Sequence, residues 1–393
     1  MKRNFYHPEL DCLRFVAFLA VFLHHCLPQD TESYRRLGAI PAAVVACIVK
    51  AGGLGVDLFF CLSSFLITLL LLREVSERGA IDVRSFWIRR ILRIWPLYYA
   101  FLLASVVVVP RLLPGNTLNA YYVSSFAFLG GNWACAFSGY PPSVAAPLWS
   151  VSIEEQFYLA WPLLLAALSV RRLPLLAIIC LAIATLVRGI LVLLQLPHPA
   201  IWCNTFARLD PIAFGALFAV YCNARQYTLS AKGRRWLSLT GLVIPPLLLL
   251  ILGDSAFYGF ASLAFYPAVA FCCLLILAGT YTRIEPDHDL QRTGSASKFR
   301  GLLVYLGRIS YGLYVFHVFA IAFVDKAFRN GPGGSMQIDM ICFFGRRCLA
   351  FLLTVALASV SYALIEKPFL RLKKRYSHIE SVPISGAGRP QCR

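Results

Sequence analysis

Charge is scarce in this chain. Only 14% of its 393 residues are Asp, Glu, Lys or Arg, against about 25% in an ordinary soluble domain, and that shortage points away from water and towards the bilayer. Acidic side chains are scarcer still, 19 against 37 basic ones, for a formal charge of +18. No Cys/His spacing resembles a zinc site despite 13 cysteines, so no metal is expected. No internal repeat of fixed period is present, which argues against a solenoid or an inverted-repeat transporter. A signal-peptide cleavage site is lacking too. Cys26-Leu-Pro-Gln-Asp30 is a poor one, so the first apolar run reads as a permanent helix.

What the chain has in plenty is apolar sequence, 59% of all residues. Ten runs long enough to cross about 30 Å of hydrocarbon fall near 10–28, 53–73, 91–112, 148–169, 173–194, 202–222, 236–253, 257–280, 303–325 and 339–365. The sixth is the weakest, because Arg208 and Asp210 interrupt its start. The expected fold is an all-α polytopic membrane protein of about ten transmembrane helices, with both termini cytoplasmic. The basic residues support that topology. Lys2, Arg3, Arg84, Arg171, Arg172, Lys232, Arg234, Arg235, Arg292 and Lys298 would lie inside, while the outward loops hold fewer, among them Arg35, Arg36, Lys50, Arg111 and Arg329. Such asymmetry is the positive-inside rule, so the charge is mostly topology and no nucleic-acid partner is expected.

Residues 1–372 read as one integral membrane domain and 373–393 as a basic cytoplasmic tail, expected to be disordered. The outward segment 113–147 reads as an ordered loop that could cover a site, and the inward segment 281–301 as a flexible connector. Most cysteines fall inside spans, where Cys acts as a small hydrophobe. Cys26, Cys47, Cys135 and Cys203 fall at or near the outward side, where a bridge is allowed by compartment but unsupported by spacing.

Ionisable residues inside apolar runs cost several kcal/mol and mark functional sites by default. Arg14 and His25 lie eleven residues apart in the first run, on one helix face and roughly 16 Å apart along its axis. By depth, His25, Asp57, Glu154, Glu155 and His317 all fall in the outer half and could converge on one polar cavity from four helices. Arg89, Arg90 and Arg93 cluster at the inner end of the third run, with Arg14 near their level. Forked guanidiniums there suit phosphate or carboxylate. Each residue also has a plainer reading: headgroup contact for the arginines, interhelical packing for a lone histidine, an interfacial belt for Tyr98, Tyr99 and Trp149. His24 points about 100° from His25 and is expected to be structural.

Six short blocks occur in an order that resembles the acyltransferase family 3 membrane proteins. They are Leu10-Asp-Cys-Leu-Arg14 with His25, Gly55-Val-Asp-Leu-Phe-Phe-Cys-Leu-Ser63, Arg90-Ile-Leu-Arg93, Leu148-Trp-Ser-Val-Ser-Ile-Glu-Glu-Gln-Phe-Tyr158, Ser310-Tyr-Gly-Leu-Tyr314 with His317, and Glu366-Lys-Pro-Phe369. Cys12, Phe15 and Ser64 stand where that family usually has glycine. No esterase-like domain follows the last span, so a stand-alone transferase unit is expected.

The resemblance implies a membrane O-acyltransferase of the bacterial cytoplasmic (inner) membrane. It would move an acyl group, acetyl by first expectation, from cytosolic acyl-CoA to a hydroxyl on an extracytoplasmic carbohydrate or lipid-linked glycan. The cofactor-binding residues would be Arg14, Arg89, Arg90 and Arg93. His25 would be the general base, with Glu154, Glu155, Asp57 and His317 as further catalytic candidates and Glu154 or Glu155 orienting the imidazole. Transfer could be direct or through an acyl-histidine. A proton- or anion-coupled transporter using the same His, Glu and Arg residues is the alternative, because intramembrane His and Glu also build proton relays.

Overall fold

The computed structural model describes residues 6–168, 170–225, 227–281, 295–328 and 336–376, and among these every regular element is helical. Arg283, Arg292, Arg329, the N-terminal Lys2 and Arg3, and the expected tail beyond residue 376 lie outside the described residues.

The first helix, α1 (Pro8–Cys26), opens on a proline, whose fixed φ suits the first turn, with Glu9 and Asp11 at the positive end of the helix dipole. α2 (Ala39–Gly52) runs through Gly53 and Leu54, both in helical conformation, into α3 (Gly55–Arg78). Left-handed Gly79 ends α3, its N–H returning to the Val75 carbonyl. α4 (Val83–Val107) starts where the Asp82 carboxylate accepts from the Ser85 N–H, and a single turn, α5 (Val109–Leu112), follows it. Two short helices, α6 (Ala120–Ala127) and α7 (Gly131–Ser138), precede α8 (Leu148–Ala167). Then come α9 (Leu173–Leu193), α10 (Asp210–Ala224), α11 (Ala231–Leu252), the short α12 (Ser255–Tyr258) and α13 (Ser262–Thr280). α14 (Ser295–Arg308), α15 (Ser310–Ala327), α16 (Met336–Ser361) and α17 (Lys367–Lys373) complete the chain.

Six of these helical stretches are long and apolar enough to cross a membrane: Ala39–Arg78, Val83–Val107, Val170–Leu193, Ala231–Leu252, Ser262–Thr280 and Cys342–Leu372. A seventh is the pair Lys298–Arg308 and Ser310–Ala327, bent by 76° at Ile309. The expected first, fourth and sixth spans are helices that miss the mark for physical reasons. α1 carries Glu9, Asp11 and Arg14, α8 carries Glu154 and Glu155, and α10 has only 15 residues because Asp210 begins it rather than interrupting it. Two other expectations shift. The outward segment after the first run contains α2, and the third run starts at Val83 instead of residue 91. The three arginines therefore lie within α4, past its first turn.

α1 runs through the interior and serves two cores. Phe15, Phe18 and Phe22 enter one with Phe60, Leu97, Tyr98 and Leu313; Leu10, Leu13 and Ala17 enter the other with Leu58, Leu62, Phe65 and Val269. These sets are i, i+3/i+4 faces of one helix. Glycine lets the neighbouring helix approach it: a Cβ on Gly55 would lie 2.5 Å from the Ala17 carbonyl oxygen. Away from the cores, α9, α11 and α16 expose Leu175, Ile179, Leu239, Val243, Leu352 and Val360, the surface expected of helices in lipid. The central helix can thus carry ionisable residues, because neighbouring helices cover most of its surface.

Candidate active site

Two cavities meet beside α1. The smaller, about 90 Å³, is lined by Arg14, Arg90, Arg93, Ser63, Glu154, Tyr158 and other residues of α1, α3, α4, α8 and α15. The larger, about 820 Å³, is lined by His24, His25, Tyr140, Trp149, His198, Trp202 and Asp254, among others. Val56 and Tyr314 line both. Arg14 and His25, three turns apart on one face of α1, thus face different spaces separated by little more than one layer of side chains.

In the small cavity the Ser63 hydroxyl donates to Glu154 Oε1 at 2.8 Å, and the Arg90 guanidinium lies 5.6 Å from the centre of the Tyr158 ring. Arg14 pairs with Asp11 at 3.0 Å, one turn back on its own helix. Among the described residues neither Arg90 nor Arg93 makes an ion pair, so guanidinium charge faces the space without a matching carboxylate on each. Arg90 and Arg93 are three residues apart and share a helix face. Arg89, one residue before Arg90, is buried against Glu74 at 3.4 Å and donates to the Tyr376 carbonyl at 2.8 Å. It lines neither cavity, which corrects its expected place among the anion-binding residues.

His25 is exposed to the large cavity, and its ring stacks on that of His317 with centroids 5.0 Å apart and 25° between planes. His317 is fully buried, with Nδ1 2.5 Å from the Tyr314 carbonyl oxygen. A carbonyl only accepts, so Nδ1 holds the proton and Nε2, buried without a partner, keeps its lone pair. The Tyr314 hydroxyl lies 2.7 Å from Ser150 Oγ. His24 is tied to the Val49 carbonyl at 3.1 Å and to Gln29 at 3.3 Å, in keeping with a structural part. At the rim, the Ser33 N–H and hydroxyl lower the Asp30 pKa, and burial near Arg208 lowers that of His198.

The expected convergence of five acid/base residues on one cavity does not occur. Glu154 and Glu155 are neighbours in sequence and so about 100° apart on α8. Glu154 faces the arginines, while Glu155 turns away and accepts from Trp95 Nε1 at 2.7 Å. Asp57 pairs with Arg208 at 2.8 Å, both fully enclosed. Beside it Arg188 and Asp210 form a second closed ion pair. Arg208 also packs 4.2 Å from the centre of the Trp202 ring, so this ionic block supports the aromatic wall of the large cavity. Arg188 is visible in the sequence as an isolated charge within a long apolar run. The part of 113–147 that reaches the large cavity is Tyr140, Ala146 and Pro147.

A family described as an acyltransferase domain has a model that matches residues 7–366. The chain belongs to acyltransferase family 3. Among curated proteins, the O-acetyltransferase OatA of Staphylococcus aureus strain NCTC 8325 is 28% identical over 380 residues, covering 92% of this chain and 57% of its own length. OatA of strain COL matches to the same extent. SAS0844 of strain MSSA476, provisionally named an O-acetyltransferase, is 27% identical over 393 residues, covering 94% of this chain and 58% of its own length. The chain therefore spans little more than half the length of these relatives. No solved structure matches it. In this member of the family, Ser64 at the position of the usual glycine is accommodated, because its hydroxyl donates to the Ile212 carbonyl at 2.6 Å across the α3–α10 contact.

Proposed function

We propose that the protein is a membrane O-acetyltransferase that takes an acetyl group from cytosolic acetyl-CoA and delivers it to a hydroxyl of an extracytoplasmic carbohydrate. The observation that carries this reading is the pair of adjoining cavities with Arg14 on one side and His25 on the other. A cavity of about 90 Å³ is far below the 300–1,000 Å³ of ordinary ligand pockets. It is too small for a whole nucleotide but suits the diphosphate at the head of a pantetheine arm. The CoA phosphates then rest on the arginine side, held by Arg90, Arg93 and Arg14, with forked N–H donors matched to phosphate oxygens. The large cavity, with Trp149, Trp202, Tyr140 and Asp254, has the volume and the mixture of aromatic and polar groups that a sugar hydroxyl and its ring require.

His25 removes the acceptor proton as the hydroxyl oxygen attacks the thioester carbonyl carbon. The tetrahedral intermediate collapses with loss of the CoA thiolate, and the imidazolium returns a proton to that sulfur. His317 is a positioning residue: its stacked ring fixes the His25 plane, and its own tautomer is fixed by the Tyr314 carbonyl. Glu154 is assigned to the arginine cavity, where it offsets part of the cationic charge and, with Ser63, fixes the shape around the donor. Glu155 and Asp57 have no part in the transfer in this scheme.

The test is acetyl transfer in membranes given acetyl-CoA and a pooled surface-glycan extract, with glycans read by mass spectrometry. Acetylation that disappears in His25→Ala at equal protein level is the expected result. Equal labelling of wild type and variant would remove His25 from the chemistry. Movement of a solute in proteoliposomes without loss of the thioester would replace the transferase reading with the transporter one.

A further inference from the structure

Cys135 and Cys203 are 68 positions apart, and nothing in their spacing pairs them, yet the fold sets the face of α7 that carries Asn132 and Cys135 against the Cys203–Thr205 segment. Both are thiols here and both are fully buried. The contact is held from two sides. The Asn132 amide, one turn before Cys135 on α7, donates to the Cys203 carbonyl at 3.0 Å and to Thr205 Oγ1 at 2.9 Å. Gln156 of α8 donates to Asn132 Oδ1 at 2.8 Å and accepts from Thr205 Oγ1 at 2.6 Å. The remaining partner is Tyr140, whose hydroxyl lies 3.6 Å from Cys203 Sγ. Tyr140 and Trp202, the latter adjacent to Cys203 in the chain, both line the large cavity.

We propose that Cys135 and Cys203 are the two halves of a disulfide that fastens α7 to the 198–205 segment and so fixes one wall of the large cavity. The proposal rests on the orientation in the functional reading, which places that cavity on the extracytoplasmic, oxidising face. The two thiols lose two protons and two electrons and form one S–S bond. The electrons pass to an extracytoplasmic protein disulfide, which is reduced to its dithiol through a mixed-disulfide intermediate. Because both sulfurs are enclosed in the finished fold, exchange occurs before α7 docks, and the completed bond resists reductant until the protein unfolds.

The test uses the full chain in native membranes, denatured in excess N-ethylmaleimide before any reductant is added and then digested for mass spectrometry. The expected result is a linked Cys135–Cys203 peptide pair, lighter by two hydrogens than the sum of its parts, with Cys26 and Cys47 alkylated in the same sample. Alkylation of both Cys135 and Cys203 overturns the proposal. A parallel sample treated with copper–phenanthroline before denaturation tells why. If the bond then forms, the sulfurs are within reach but face a reducing side, and the orientation falls with the disulfide. If no bond forms even then, the pairing falls, and the orientation is read separately from labelling of Asp30→Cys at the cavity rim by an impermeant maleimide added outside. A Cys135→Ser/Cys203→Ser protein should unfold about 5 °C lower than wild type without reductant, whereas exposed Cys348→Ser should not shift.

Discussion

Two groups of charged side chains lie between the helices, and they are assembled in opposite ways. In one, Arg188 with Asp210 and Arg208 with Asp57 are matched one to one, packed under aromatic rings and closed to solvent. In the other, Arg14, Arg90 and Arg93 gather around Glu154 and a space, with cations in excess among the lining residues. The first leaves no charge for a ligand; the second leaves charge that only a ligand can answer. Placement inside an apolar run is the same for both, so intramembrane charge alone does not separate scaffold from site. What separates them is stoichiometry and an adjoining void.

Breaking the closed group should have the largest effect. Arg208→Ala strands Asp57 in the interior and should cost about 3–5 kcal/mol, read as loss of monodisperse, folded protein in detergent. The paired change Asp57→Leu with Arg208→Met should recover most of it. A stable Arg208→Ala protein would mean that Asp57 is not enclosed as described.

Within the open group the loss should be one of rate or donor affinity at unchanged stability. His25→Ala, across the partition, should lower acetyl transfer by about 10²–10⁴-fold, measured as acetyl incorporated per unit of folded enzyme. Arg93→Ala should raise the KM for acetyl-CoA by about 10–100-fold, the worth of a charge-assisted hydrogen bond, with acceptor KM unchanged. Arg89→Ala sharpens the contrast, because its partner is Glu74. It should lower the unfolding temperature and leave donor KM within a factor of three. Equal donor defects in the two variants would erase the distinction between the arginines. The smallest change is at the rim, where Lys50 and Asp254 form a partly exposed pair at 2.7 Å. Asp254→Asn should cost less than about 1 kcal/mol, and a thermal shift beyond a few degrees would show that the rim bears load.

How far the sequence carries this picture depends on the range over which each relation acts. Relations within one helix were legible. The common face of Arg14 and His25, the pairing of Arg90 with Arg93 and the separate path of His24 all follow from 3.6 residues per turn. The divergence of Glu154 from Glu155 follows from the same rule, whereas their common depth alone would place them together. Relations across helices were not legible. Nothing in spacing joins Asp57 to Arg208 or Arg188 to Asp210, and without those partners Asp57 resembles a catalytic acid. The 76° bend at Ile309 lies between Gly307 and Gly312 with no proline to mark it, and α2 is apolar but shorter than a span, so its length does not separate it from a loop.

Val56 and Tyr314 have an electrical consequence. Where two hydrated spaces come within a side chain of one another, most of the membrane potential falls across that thin partition instead of across 30 Å of hydrocarbon. Each elementary charge crossing it does about 2.3 kcal/mol of work per 100 mV. In the proposed reaction the acyl group and the acceptor's proton cross in opposite senses, so no net charge moves, while the CoA phosphates stay with the arginines outside the field. In that scheme transfer is indifferent to the resting voltage, and Val56 and Tyr314, which line both spaces, are part of what stands between the catalyst and an ion leak.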